Sequence, residues 1–238
     1  LGMEQAINEL AEMANIDPVD FRLINASRKG TRRAAGPTFP KIGLVEVLTQ
    51  MKNHPHYQTP LEGECAGRGV AVGYWFNVGL ESSVNISVNS DGTITLVEGS
   101  TDIGGSRASI AMQAAEVLGI RAEDVKPSVV DTDSIGVTSL TGGSRTTYAT
   151  GWAAYKAAED VKEQLISRVA TIWGVEESTV SFDSGTFTSI NGTSQSISFK
   201  ELASELPSTG GTVTGNGTVE LGMGGNGGGS FAGNIVDV

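Results

Sequence analysis

One cysteine, Cys65, occurs in 238 residues. A lone thiol excludes an intrachain disulfide and any multi-cysteine metal or cluster site built by this chain alone. Histidine is nearly as scarce: His54 and His56, in NHPHY, are the two present. Their spacing could serve a metal, but Pro55 and Pro60 point to an exposed loop, and no carboxylate or third histidine accompanies them. No metal ligand is assigned. Basic residues are outnumbered, 16 Lys and Arg against 27 Asp and Glu, for a formal charge of −11. A field of that sign repels phosphate backbones, and the one basic cluster, SRKGTRR at 27–33, reads as a solvated loop, so no nucleic-acid partner is expected. No run approaches the roughly 20 apolar residues that span a bilayer, and LGMEQAINEL has neither the basic head nor the apolar core of a signal peptide. The expectation is a cytoplasmic chain without a membrane partner. Its first residue is Leu, so the native start is expected upstream.

Glycine, by contrast, is abundant, with 32 residues. The tetrapeptide GGSR occurs twice, at Gly104–Arg107 and Gly142–Arg145. Each copy precedes a run that reads as a helix, SIAMQAAEVLGI and TTYATGWAAYKAAEDVKEQL. A helix entrance carries unpaired N–H groups and the positive end of the dipole, and glycine lets a ligand approach the backbone, so two such entrances side by side would form one anion-binding pocket. The bland alternative is helix-on-sheet packing with serine N-caps. Neither turn completes GxxxxGK[ST] or GxGxxG, so the generic nucleotide motifs do not apply.

The periodicity supplies the frame. Met3, Ile7, Leu10 and Ala14 recur with helical spacing, Asp17-Pro18 opens a second helix, and 44–51 reads as a third within an irregular connecting region at 25–66. From Gly67 the period becomes two: Val70 to Val78, then Val84, Ile86 and Val88, then a turn at Asn89–Gly92 and a return strand at 93–98. These three strands are expected to form one antiparallel unit. A helix at 106–118, with Ile110, Ala114, Val117 and Leu118 inward, leads to a buried strand at 128–130. A long helix then runs to Trp173 with Ala153, Ala157, Val161, Leu165, Val169 and Ile172 inward. Its start is rich in small residues, which would allow close approach of something bulky. Further on come a hairpin at Asp183–Gly185, a helix capped by Ser198 with Glu201, a glycine-rich loop at 221–230 and a strand from Phe231. The expected class is α+β, layered, with a mixed, partly antiparallel sheet packed by two main helices. Residues 1–65 are expected to be a helical and connecting segment, and 66–238 an α/β domain truncated at both ends.

In order, DGTITLVEGSTDIGGSRASIAMQAAEVLGI and VVDTDSIGVTSLTGGSRTTYATGWAAYKAA resemble the molybdopterin-binding large subunit of the xanthine dehydrogenase/aldehyde oxidase group of molybdenum hydroxylases. INELAEMANIDPVDFRLIN is similar to an earlier segment of that family. The resemblance implies that Gly104, Gly105, Ser106, Arg107, Ser109 and Gln113 form one cofactor turn. Gly143, Ser144, Arg145 and Thr147 would form the other, with Asp131 and Thr132 ending the strand between them. It implies molybdopterin with molybdenum, in bacteria often as the cytosine dinucleotide, and a full enzyme that hydroxylates an aldehyde or N-heterocycle with water. Iron–sulfur and FAD subunits or domains are the implied partners, beside a small-molecule substrate. Two departures stand out: Gly105 replaces the family's glutamine, and the family's catalytic Glu, in a GxGE segment, has no match, so no catalytic residue is assigned. The fragment alone is expected to be inactive and without cofactor. The rival expectation is a non-catalytic binding or assembly module of the same fold.

Overall fold

The computed structural model describes residues 2–131, 133–190, 195–220 and 230–238. The chain divides into two compact units, Leu1–Phe76 with Gly228–Val238, and Asn77–Gly227. The division falls after Phe76, not at 65/66, because strand β1 (Arg68–Trp75) pairs antiparallel with β9 (Ser230–Asp237).

In the first unit, α1 (Gly2–Met13), α2 (Pro18–Asn25), α3 (Leu44–Asn53) and a short α4 (Pro55–Gln58) accompany the β1–β9 pair. Asp17 caps α2 by accepting from the N–H groups of Val19 and Asp20, ahead of Pro18 in the first turn, as Asp-Pro dictates. Helical spacing in α1 is real, but Met3 and Leu10 are exposed and Ala11 is the buried position. The core is Val19, Ala26, Leu48, Met51 and Val70, so the segment read as a connecting region contributes a core helix, α3. NHPHY is not a loop: His54 caps α4, and His56 Nε2 lies 2.8 Å from Asp237, which Arg68 also holds.

The second unit carries the main core. Its four-stranded sheet has the order β4-β3-β2-β8, from β2 (Ser82–Val88), β3 (Ile94–Glu98), β4 (Val125–Val129) and β8 (Thr214–Val219). Gly92, at φ +84°, closes the β2–β3 hairpin where Asn89–Gly92 predicts a turn. β1 is not part of this sheet; its alternation matches β2 and β3, but its partner is β9. β4 runs parallel to β3 after the crossover helix α5 (Ser106–Leu118) and forms the edge of the sheet, so Val129 is exposed instead of buried.

The long helix α6 (Gly151–Trp173) and α5 cover one face, burying Ile110, Ala114, Leu118, Ala153, Ala157, Val161, Leu165 and Val169. Fully buried Leu, Ile or Val side chains contribute about 1.5–3 kcal/mol each, so this layer dominates the unit's stability. The small residues of α6 serve β8. A methyl on Gly217 would sit 1.9 Å from the Ala153 carbonyl oxygen, and one on Gly215 2.3 Å from that of Ala157. The bulky neighbour is thus a strand backbone. The alternating glycines of TGNGTV were the available signal for β8, which periodicity of apolar residues does not show. A three-stranded sheet of β5 (Val180–Asp183), β6 (Thr186–Ser189) and β7 (Ser196–Ser198) precedes α7 (Phe199–Glu205), whose capping box pairs Ser198 with Glu201. The glycine-rich stretch 221–229 lies outside the described residues.

Candidate functional site

Both GGSR copies make a turn in which two successive residues are left-handed, but in different frames. In the first, Gly104 and Gly105 have φ of +60° and +85°, and α5 begins at Ser106. In the second, Gly143 and Ser144 have φ of +60° and +58°, and Arg145 follows in right-handed geometry before a single π turn, Thr146–Thr150, enters α6. A left-handed residue followed by a right-handed one turns successive N–H groups toward one side, the concavity in which proteins hold anions. Glycine supplies the first turn at no steric cost, whereas Ser144 holds the same conformation against a penalty of roughly 1–2 kcal/mol. A π turn at a helix entrance is a local departure that recurs at functional sites.

At the first turn, Asp102 caps the helix. Its carboxylate accepts from the Arg107 N–H (3.2 Å), the Ser106 hydroxyl (3.2 Å) and Arg107 Nε (3.1 Å). The Arg107 N–H, with the Arg107 and Ser106 side chains, holds its pKa below the usual carboxylate range. The N–H groups of Gly104 and Gly105 make no hydrogen bond among the described residues, and both glycines are exposed. Ser106 is buried with its hydroxyl spent on Asp102 and on the Ile103 N–H.

The second turn is nailed to the segment before β2. Val78 donates to the Gly143 carbonyl (3.1 Å) and Asn77 Nδ2 to that of Ser144 (2.8 Å). Arg145, completely buried, donates to the carbonyls of Gly79 (2.8 Å), Ser139 (2.9 Å) and Glu81, and to the Ser82 hydroxyl. Burial lowers its pKa, with the Glu98 charge acting against that shift. Its guanidinium is committed to the framework, to three carbonyls and a hydroxyl.

The two turns are joined by helix packing. Gln113, on α5, donates to the Thr147 carbonyl at 3.3 Å, and a methyl on Gly151 would lie 1.7 Å from its Oε1. Gly151 is therefore small to seat Gln113. Ser109, Gln113 and Thr147 share the rim of an open groove of about 600 Å³ with Tyr148, Trp152 and Tyr155. The rings of Trp152 and Tyr155 stack at 5.2 Å.

Asp131 closes its own turn, accepting from the N–H of Asp133 (3.0 Å) and the Ser134 hydroxyl (2.9 Å), which pulls its pKa down. Thr132 lies outside the described residues. Of the expected site residues, then, Gly104, Gly105, Arg107, Ser109, Gln113, Ser144 and Thr147 stand at or near the surface of the two turns and the groove. The side chains of Ser106, Asp131 and Arg145 are engaged within the fold. Among the described residues no cluster of three His, Cys, Asp or Glu side chains could hold a metal. Sequence reading missed Ser82, Glu98, Ser100 and Thr150, a buried polar set beneath the second turn. Glu98 offered a signal, a charge at an inward position of the alternating strand Ile94, Leu96, Glu98.

This fold belongs to a known architecture. The chain matches the molybdopterin cofactor-binding domain over residues 50–231, and it is a member of that family. It is 32% identical over 234 residues to the aldehyde oxidoreductase molybdenum-binding subunit PaoC of Escherichia coli O157:H7, covering 93% of this chain and 30% of that protein. It is 31% identical over 188 residues to the xanthine dehydrogenase molybdenum-binding subunit of the same organism, covering 71% of this chain and 25% of that one. The fold is shared with a Cu,Mo-CO dehydrogenase at a TM-score of 0.78 and 19% identity, over 99% of this chain and 34% of that one. Quinoline 2-oxidoreductase of Pseudomonas putida 86 matches at 0.77 and 16%, with the same coverage. The chain thus spans about a third or less of the relatives it matches. No helix among the described residues is long and apolar enough to cross a membrane.

Proposed function

We propose that the two turns grip one anionic molybdenum–pterin cofactor, within a larger enzyme that oxidatively hydroxylates an aldehyde or N-heterocycle. The observation that carries this reading is the paired turns themselves. Each bends its backbone through a left-handed to right-handed step at a helix entrance, and Gln113 and Thr147 tie the two helices together. The donor set suits an anion. Gly104 and Gly105 offer exposed N–H groups, Ser109 and Thr147 hydroxyls and Gln113 an amide, while Asp102 is already paired with Arg107. The open groove beside Thr147 leaves room for a cofactor of dinucleotide size, and the cytosine dinucleotide is the form we favour.

When bound, the group supplies a redox metal that takes two electrons from the substrate in a hydroxylation drawing its oxygen from water. The chain's own part is to bind and orient it. Gly104 and Gly105 would donate to the anionic group, Ser109 and Thr147 would hold it at the groove, and Gln113 keeps the two helices at one spacing. Electrons would pass to iron–sulfur and flavin partners, and the general base would come from outside these residues.

Thr147→Glu tests the reading, because it places a carboxylate in the second turn at an exposed position without disturbing the core. Molybdenum and pterin retained by the intact native polypeptide should fall at least about tenfold, the scale of one unfavourable charge contact. Unchanged molybdenum content would remove the second turn from the site. Absence of molybdenum and pterin from the wild-type protein would remove the cofactor altogether and favour a non-catalytic module, to which Gly105, lacking the family's glutamine side chain, already lends weight.

A further inference from the structure

Beneath the two turns runs a line of buried polar side chains that the cofactor reading does not use. Arg145 donates to Ser82 Oγ. Ser82 Oγ is 2.8 Å from Thr150 Oγ1, and Thr150 Oγ1 is 2.6 Å from Ser100 Oγ. The Ser100 N–H donates to the Glu98 carboxyl. All five residues are at most 1% exposed, so water cannot substitute for any link.

The guanidinium only donates, so Ser82 Oγ accepts at that end, while each hydroxyl can give one proton and accept another. The three hydroxyls relay the line, and the Ser100 N–H ties its far end to Glu98. Such chains strengthen each link through polarisation, and a break leaves buried groups unpaired on both sides.

What the line connects is informative. Arg145 is the residue after Ser144 in the second turn. Ser100 closes β3 and begins the short run that leads through Asp102 into Gly104. Thr150 is the last residue of the π turn and the junction between the two halves.

We infer that Thr150 is a positioning residue, the middle of a buried hydrogen-bonded strut from Arg145 to Glu98 that fixes the two anion-binding turns relative to each other. The functional meaning of this strut rests on the cofactor reading; its mechanical meaning does not. Through it, Arg145 acts on the cofactor site without touching the cofactor, which explains why the second GGSR buries an arginine that the first leaves at the surface.

The test compares wild-type, Thr150→Val and Thr150→Ser in the intact native polypeptide, with Leu202→Ala as a control that loosens the same unit at α7. Valine keeps the shape and removes the hydroxyl; serine restores it. Amide hydrogen exchange is followed in peptides covering 104–107 and 143–148. In the Val variant both turns should exchange roughly tenfold faster, in step, as expected for a broken buried hydrogen bond, and the Ser variant should match wild type. Acceleration of one turn alone, of neither, or an identical pattern in Leu202→Ala would overturn the strut. Should the Val variant fail to fold, Ser100→Ala removes a single link and is read against the same outcomes.

Molybdenum per chain is then measured for the same set. Loss with Val and recovery with Ser is the expected result; retention in the Val variant despite accelerated exchange would overturn the strut's role at the site. Wild-type protein lacking molybdenum would defeat the cofactor reading, and the exchange data would still decide the strut.

Discussion

The two GGSR copies share every residue and differ in almost every contact. In the first, the frame starts α5 at the serine, leaving Arg107 at the surface in an ion pair with Asp102. In the second, the helix starts after the arginine, and Arg145 is driven into the interior to satisfy three carbonyls and a hydroxyl. The same four residues thus make an open, self-capped turn and a clamped one. The difference comes from what surrounds each: solvent at Arg107, and Gly79, Glu81, Ser82 and Ser139 around Arg145.

The sharpest way to break this comparison is to remove each arginine. Arg145→Met leaves the Gly79 and Ser139 carbonyls without this donor and strips one partner from the Glu81 carbonyl and the Ser82 hydroxyl, and a loss of about 3–5 kcal/mol is expected from denaturant unfolding. Arg107→Ala removes an exposed pair and should cost less than about 1 kcal/mol. Equal losses would show that the two turns bear the same load. Next in size is Gly217→Ala, whose methyl would collide with the Ala153 carbonyl and lift β8 from the helix that carries the second turn, for roughly 1–3 kcal/mol. The Tm of that variant is the readout, and Gly105→Ala provides its counterpart at the first turn. There the methyl meets open space, so only backbone strain of about 1–2 kcal/mol is expected.

Smallest, and opposite in sign, are the proton effects. Asp102 has its pKa depressed, so its contribution to the first turn is complete above the ordinary carboxylate range and is lost as pH falls through the lowered value. Glu98 has its pKa raised by burial, so its contribution is complete below the ordinary range and is lost as pH rises through the raised value. Acidification should therefore favour the ground beneath the second turn first, as Glu98 takes its proton, and loosen the first turn only at lower pH, below the ordinary carboxylate range. Asp102→Asn should flatten the first dependence in amide exchange at 104–107 and leave the second intact.

Much of this was legible from local chemistry. Caps at Asp17 and Ser198, the turn at Asn89–Gly92, the hairpin at Asp183–Gly185 and the inward stripes of α5 and α6 follow from rules that act within a few residues. What escaped depends on distant chain. β1 alternates just as β2 does, and nothing within it announces a partner beginning at Ser230. Val129 and Val130 read as buried because their place at the sheet edge is set by strand order. The small residues of α6 pointed correctly to a close neighbour, but that neighbour is β8 and Gln113. Arg145 was the hardest, since an identical tetrapeptide elsewhere leaves its arginine outside.

The pairing of Arg68–Trp75 with Ser230–Asp237 has a temporal meaning as well. During synthesis the first strand emerges long before its mate, and the whole of Asn77–Gly227 is made in between. The intervening unit, whose sheet and helices are all encoded within it, can fold first, while the earlier residues wait with an unpaired edge exposed to other chains. A protein built this way carries an aggregation hazard in the interval before Ser230–Asp237 leaves the ribosome.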